Sequence, residues 1–278
     1  MMHRKEYELV QVNFFQHMLK EMGSEMAPHS LILDFGCGEG WAVYQFRKKG
    51  LNAFGVDIEN CYDNVQKLCK DEEMIRADED IFRTIDVNNY SIPFDDDTFD
   101  FVISDQVFEH VQNYPEALAE IKRVLKPGGS SLHVFPSRYY SIEEHVFVPL
   151  ATIFRGRAYL AFWAFLGIRN SYQKGLSWKE VASLNYEYLK NCTTYYTKSK
   201  IRKLIVGEFG NVSFVEAVFI KYHHGRIRRY LYPLLKRFPI ISSLFCTFHS
   251  RVVFFKKRET REFTYPNQSL METTSERG

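Results

Sequence analysis

Short buried-looking runs and amphipathic stretches follow one another along this chain in a regular rhythm. Residues 5–22 place apolar side chains at helical spacing and predict an amphipathic helix. After a break at Met26–Ser30, the apolar run Leu31–Phe35 reads as a buried strand that ends in glycines. Trp41–Lys49 predicts a helix stopped by Gly50, Asn52–Val56 a second strand and Cys61–Lys70 a second helix. Ile81–Val87 is a weaker third strand and Phe99–Ser104 a fourth. Tyr114–Leu125 is a helix closed by Lys126-Pro127-Gly128-Gly129, and Ser131–Phe135 is a fifth strand. Strands separated by helices in this way imply an α/β fold, a doubly wound sheet with parallel pairing and right-handed crossovers.

The rhythm breaks after Phe135. Residues 137–196 are rich in aromatics (Phe162, Trp163, Phe165, Tyr172, Trp178, Tyr186, Tyr188, Tyr195, Tyr196) and hold no clear strand. A structureless loop of that length is unusual, so a largely helical insertion is expected, either as a lid or substrate pocket or as an added layer with its own small core. A helix near Thr197–Glu208 and strand-like runs at Asn211–Phe219 and Arg251–Phe255 resume the pattern. The expected organisation is an N-terminal helix (1–28), a ligand-binding core (29–136), the aromatic insertion (137–196), a C-terminal part of the core (197–258) and a polar, disordered tail (259–278).

Charge adds one feature. The net charge is +2, yet Lys221 to Arg258 holds ten Lys or Arg and no Asp or Glu, which leaves −8 for the remainder. These cations are interleaved with Tyr, Leu and Phe, a composition that suits peripheral contact of 221–258 with an anionic lipid surface. A solvated connection between strands is the alternative, and nucleic acid is set aside because no RNA-binding module accompanies the segment. The five cysteines form no CxxC pair and no zinc spacing, which fits reduced thiols and gives no metal site. The start, MMHRKEYELVQVNFF, has no long apolar core, and Tyr159–Ile168 is too short to span a bilayer. The expectation is a cytoplasmic protein that touches a membrane, if at all, from that side.

The chemistry begins at Asp34-Phe35-Gly36-Cys37-Gly38-Glu39-Gly40. A strand ending in Gly-x-Gly-x-Gly and opening a helix is a nucleotide-binding turn: glycines tolerate positive φ and close ligand approach, and the helix start offers unpaired N–H groups. Dinucleotide enzymes use a similar turn, so it is not specific alone. Asp57, ending the second strand in Gly55-Val56-Asp57-Ile58, is placed to accept ribose hydroxyls. Asp86, in Thr84-Ile85-Asp86-Val87, is placed to meet an adenine amine. Ile92-Pro93-Phe94-Asp95 then leads through Phe99–Ser104 to Phe108-Glu109-His110-Val111 and to Arg123-Val124-Leu125-Lys126-Pro127-Gly128-Gly129.

In that order, over residues 29–136, the chain resembles class I S-adenosylmethionine-dependent methyltransferases of the ubiquinone-biosynthesis-like group. The resemblance implies a Rossmann-like, seven-stranded, mostly parallel sheet of order 3-2-1-4-5-7-6 with the seventh strand antiparallel. It implies that Asp34, Gly36, Gly38 and Gly40 line the cofactor turn, with Cys37 a small filler in it. It also implies that Asp57 and Ile58 hold ribose and adenine, that Asp86 and Val87 flank the adenine, and that Ser104, Asp105 and Gln106 face the methionine and acceptor side. NAD is the rival ligand for the turn, and the downstream set argues against it.

Methyl transfer needs a nucleophile about 3 Å from the methyl carbon with water excluded, and needs a base only when that nucleophile is protonated at neutral pH. Candidates are Glu109, His110 and His145. Some quinone-methylating relatives carry another Glu three residues before Glu109 and bind a divalent metal, but here that position is the neutral Gln106. His145 lies in Pro136-Ser137-Arg138-Tyr139-Tyr140-Ser141-Ile142-Glu143-Glu144-His145, which is similar to a stretch of methyltransferases from polysaccharide and glycolipid clusters. The expected acceptor is a hydroxyl of a small molecule, a glycan or a lipid-linked sugar. The alternatives are a quinone or other isoprenoid lipid, or no acceptor at all in a noncatalytic cofactor-binding subunit.

Overall fold

The structure is a computed structural model and describes residues 4–86, 90–222, 232–233 and 237–259. Helix α1 (Arg4–Glu21) precedes β1 (Leu31–Phe35), α2 (Trp41–Lys48), β2 (Asn52–Asp57), α3 (Asp63–Asp71) and β3 (Phe82–Thr84). Then come β4 (Phe99–Asp105), α4 (Tyr114–Val124), β5 (Leu125–Pro136), α5 (Arg157–Phe165), α6 (Trp178–Asn191) and α7 (Lys198–Phe209). The chain closes with β6 (Ser213–Phe214), α8 (Glu216–Tyr222), α9 (Pro239–Thr247) and β7 (Ser250–Lys256). The seven strands run in the order β3-β2-β1-β4-β5-β7-β6, with β7 antiparallel to both its neighbours, as the resemblance implied.

Both faces of this sheet are covered, so its strands read as continuous apolar runs rather than alternating ones. Successive side chains still divide between the faces. Ile32, Leu132 and Val252 meet α1 and α2, while Leu33, Phe135 and Val253 meet α4 and α7. Phe99 and Phe101 would share a face in a regular strand. A register shift against β5 lies between them, and they enter opposite cores. In α4, Tyr114, Ala117, Leu118, Ile121 and Val124 form one buried stripe at helical spacing.

Two stretches depart from the reading of the sequence. The run Asn211–Phe219, expected as a strand, is extended only at Ser213–Phe214 and then turns helical. Val215, Phe219 and Ile220 recur at helical spacing onto one core, and Glu216 is buried against Arg251 at 2.5 Å, a pairing the helix start permits. The third strand is shorter than Ile81–Val87, ending at Thr84, with Asp86 held in an isolated bridge to Ser91. Val87, residues 223–231 and 234–236 of the basic segment, and residues 260–278 of the tail lie outside the described residues.

Residues 137–196 hold α5, a 3-10 turn (Ser171–Gln173) and α6, with small apolar clusters of their own around Leu160 and Leu189 and around Ala164 and Val181. A capping box fixes the start of α6: Ser177 N donates to Glu180 Oε2 at 2.8 Å and Glu180 N to Ser177 Oγ at 3.4 Å. Among the described residues no helix is long and apolar enough to cross a membrane.

Candidate active site

The parallel strands β1, β2, β4 and β5 end on one edge of the sheet, so the turns after them converge there. The turn after β1 passes through positive φ at Gly36 (80°), Gly38 (53°) and Gly40 (84°). At Gly36 a side chain is excluded twice, since an added Cβ would lie 2.4 Å from Val107 Cγ2. Gly38 has open space where a Cβ would stand, and its N–H donates to Asp57 Oδ2 at 2.7 Å. Cys37 packs its sulfur against Gly55 of β2, where an added Cβ would come within 2.7 Å of it, and burial raises its thiol well above the ordinary value.

A cleft of about 250 Å³ opens along this edge, lined by Gly36, Asp57, Ile58, Tyr90, Gln106, Val107 and His110 among others. Ile58 is 58% exposed there, an apolar side chain offered to the cleft. Gln106 and Tyr90 hold left-handed φ of 57° and 51° without being glycine, backbone costs that cluster at ligand sites.

Three carboxylates gather behind the turn. Asp34 is buried and pushed up to about 7 by burial and by the charges of Asp105 and Asp57. Asp105 is pushed up to about 6 by burial, opposed by a 2.6 Å hydrogen bond from Gln11 Nε2 of α1. Asp57 accepts from the N–H groups of Gly38 and Glu59. Such a cluster favours a positively charged ligand.

Not every candidate faces the cleft. Ser104 is fully buried, its hydroxyl 2.7 Å from His133 Nδ1, so it is turned into the sheet and away from the methionine and acceptor side. Asp86 sits beside the cleft's Ile85 in its bridge to Ser91, exposed at the rim.

The structure brings His110 and His145 together, their rings edge-to-face with centroids 4.9 Å apart. His110 Nδ1 donates to the carbonyl of Cys192 at 2.8 Å, which leaves Nε2 as the lone-pair nitrogen, and burial lowers its affinity for a second proton. His145 is held differently. Its Nδ1 donates to Glu143 Oε1 at 2.8 Å, so its Nε2 carries the lone pair. Glu143 is fully buried and takes further hydrogen bonds from Tyr195 Oη and from the N–H groups of His145 and Val146, each at 2.8 Å. Burial works to raise Glu143, but the bonds from His145, Val146 and Tyr195 outweigh it and hold the carboxyl below its ordinary value. A histidine whose Nδ1–H is fixed by a buried carboxylate is the arrangement of an oriented general base.

Glu109, next to His110, is also buried; neither of its carboxyl oxygens makes a hydrogen bond among the described residues, and His110 Nε2 lies 3.9 Å from its Oε1. Burial pushes it up to about 8, so it is a neutral acid at pH 7.

The sequence did not single out Gln11, Tyr90, Val107 or Glu143. A signal existed for Glu143 in the Glu-x-His spacing; Gln11 carries none, because its contact with Asp105 spans 94 residues.

Residues 33–132 match the family described as a methyltransferase domain. Over 106 residues the chain is 38% identical to an uncharacterized methyltransferase of Schizosaccharomyces pombe, a match covering 35% of this chain and 37% of that protein. Over 125 residues it is 30% identical to a human mitochondrial arginine-hydroxylase, covering 41% and 33%. The chain thus spans under half the length of these curated relatives. Among solved structures it is similar to a Haemonchus contortus phosphoethanolamine N-methyltransferase in complex with S-adenosyl-L-methionine, at 15% identity and a TM-score of 0.49, covering 89% of this chain and 52% of that one.

Proposed function

We propose that this chain, whose residues 33–132 are a methyltransferase domain, uses S-adenosylmethionine to methylate the oxygen of a hydroxyl acceptor. The residues present fit that cofactor. Gly38 leaves an open cradle, Ile58 offers an apolar contact for a base, and Asp34, Asp57 and Asp105 surround the turn with negative charge suited to a sulfonium and an ammonium. When bound, the cofactor supplies an electrophilic methyl group. Asp57 would hold the ribose, Ile58 would pack on the adenine, and Gly36 and Gly38 would let the backbone approach closely.

The single observation that carries oxygen as the acceptor atom is the Glu143–His145 pair. A hydroxyl is protonated at neutral pH, so its attack needs a base, and His145 Nε2 is a lone pair held in place by the Glu143 carboxylate. His145 would take the hydroxyl proton as the oxygen–methyl bond forms and the methyl–sulfur bond breaks, with the neutral thioether as leaving group, and Glu143 would stabilise the resulting imidazolium. His110, which burial keeps neutral, stands at the cleft wall beside it. Small molecules, glycans and lipid-linked sugars all carry such a hydroxyl, as do quinone precursors.

The basic segment gives this reading a location. On α9 and just after it, Ile240, Ile241, Leu244 and Phe248 are exposed within the run of ten cations from Lys221 to Arg258, which supports peripheral contact with an anionic bilayer. Pelleting with phosphatidylserine vesicles but not with phosphatidylcholine vesicles checks it.

Transfer of radiolabel from S-adenosylmethionine into fractionated small-molecule, glycan and lipid extracts tests the activity. Label in an alkali-stable methyl ether supports it. Tight cofactor binding with label in no fraction overturns it in favour of a noncatalytic cofactor-binding subunit.

A further inference from the structure

The insertion presents an apolar helix face to solvent. Helix α5 reads Arg157-Ala-Tyr-Leu-Ala-Phe-Trp-Ala-Phe165 and carries one charge, at its first residue. A helix apolar around its whole circumference belongs between two apolar surfaces. Helix α6 supplies one of them: Leu160 and Ala164 are fully buried, with Ala164 against Val181 and Ala182. The other side is open. Phe162, Phe165 and Leu166 share a face at spacings of three and four, and are 55%, 68% and 55% exposed. Trp178, the first residue of α6, extends the patch, its ring 6.0 Å from that of Phe165 and nearly perpendicular to it.

Charge tells what such a face suits. From Val146 to Lys179 the chain holds five Lys or Arg and no Asp or Glu. Arg155 is half-buried over the Tyr195 ring and Arg157 pairs with Glu187, whereas Lys174 and Lys179 are exposed. Lys179 Nζ lies 5.6 Å from the centre of the Trp178 ring, a cation at the rim of the apolar patch. Glu180, next in sequence, is engaged by the N–H of Ser177 in the capping box. Phe, Leu and Trp on one side with lysines at the edge is the composition of a helix lying in the interface of an anionic bilayer. Length agrees: the nine residues of α5 rise about 14 Å, enough to lie in one leaflet and too short to cross it and its partner. A second copy of this chain suits the face less well, because a two-fold contact would set one lysine rim against an identical one.

We infer that the outer face of α5, with Trp178 and its flanking lysines, docks into the headgroup region of an anionic lipid bilayer. The inference does not depend on the methyl-transfer reading. It adds an attachment surface on a separate element from α9.

The test uses the full chain with vesicles of phosphatidylcholine alone or mixed with phosphatidylserine. Co-sedimentation reads partitioning, and quenching of tryptophan fluorescence by brominated acyl chains reads insertion of Trp178. The wild type is expected to pellet with the mixed vesicles and to be quenched, and Trp178→Phe to lose the quenching. Phe162→Ser with Phe165→Ser, at exposed positions, is expected to lower partitioning about 100-fold. Lys174→Gln with Lys179→Gln is expected to lower it about tenfold, an effect that salt screens out. Unchanged circular dichroism and urea midpoints show that the variants fold. Ile240→Ser with Leu244→Ser, on α9, separates the two surfaces. Loss of binding in the α5 pair upholds the inference, whether or not the α9 pair loses it too. Wild-type partitioning in the α5 pair overturns it, and loss confined to the α9 pair then assigns attachment to the basic segment. A wild type that pellets with neither vesicle, or equally with both, overturns it as well. So does a dimer in lipid-free solution that the α5 pair dissociates, which gives the face to a second copy. Calorimetry with S-adenosylhomocysteine on the same samples tests the methyl-transfer reading separately.

Discussion

Replacing Glu109 by Gln is expected to remove a pH-dependent burden on the fold. Glu109 is 1% exposed, its carboxyl oxygens make no hydrogen bond among the described residues, and the nearby His110 Nε2, 3.9 Å from Oε1, belongs to a ring that burial keeps from taking a second proton. Burial, with the charges of Asp105, Glu144 and Glu143, moves it from an ordinary 4.5 up to about 8. Between those values the folded chain keeps a proton that the unfolded chain has released. Stability therefore falls as the pH rises: the contribution is fully present below pH 4.5 and is lost as the pH climbs through 8. The slope is about 1.4 kcal/mol per pH unit, and the whole window amounts to about 4–5 kcal/mol as an upper figure. Glutamine has nearly the same shape and no proton to hold. Urea unfolding of wild type and Glu109→Gln at several pH values from about 5 to 8, followed by tryptophan fluorescence, measures the difference. Asp34 and Asp105 titrate in both proteins and largely cancel. The variant should gain on the wild type by about 1.4 kcal/mol with each pH unit. A difference that stays constant with pH would refute the claim that Glu109 is buried as a neutral acid.

The site gives further expectations. Asp57→Ala should weaken S-adenosylhomocysteine binding by about 10- to 100-fold, the range for hydrogen bonds to a charged group, and calorimetry reads it. His145→Ala should lower kcat by about 10²- to 10⁴-fold while the cofactor Kd stays within about twofold, and equal losses in both would assign His145 to cofactor binding instead. Burial raises Asp34 to about 7 and Asp105 to about 6, and both must ionise to favour a cation. Affinity for S-adenosylmethionine should therefore increase between about pH 5.5 and 7.5, more steeply than affinity for the uncharged-sulfur product, as paired titrations would show.

The strand order was legible because each element carried its own punctuation: glycines after Phe35, Gly50 after the helix, Pro127-Gly128-Gly129 before the fifth strand. Asn211–Phe219 reads as one long strand because Val215 and Phe219 suit a strand by composition, and only packing of Val215, Phe219 and Ile220 on the core selects the helix that follows the short β6. At the site, the candidates that motif and spacing marked at the strand ends, Gly36, Asp57, Gln106 and His110, line one cleft. What stayed hidden was the partner of each group. Whether Ser104 looks out or in depends on His133, a strand away, and the fixed tautomer of His145 depends on Tyr195 and Glu143 converging from opposite ends of the insertion. Such pairings are properties of three-dimensional proximity that no local window contains.

Where the strand edge meets the insertion, the contact is between two imidazole rings, His110 and His145, with centroids 4.9 Å apart. Each ring is pinned by the insertion itself, His110 by the carbonyl of Cys192 and His145 by the carboxylate of Glu143. A change in either pin therefore loosens the joint between the strand edge and the insertion, and its effect is felt on both sides of that joint.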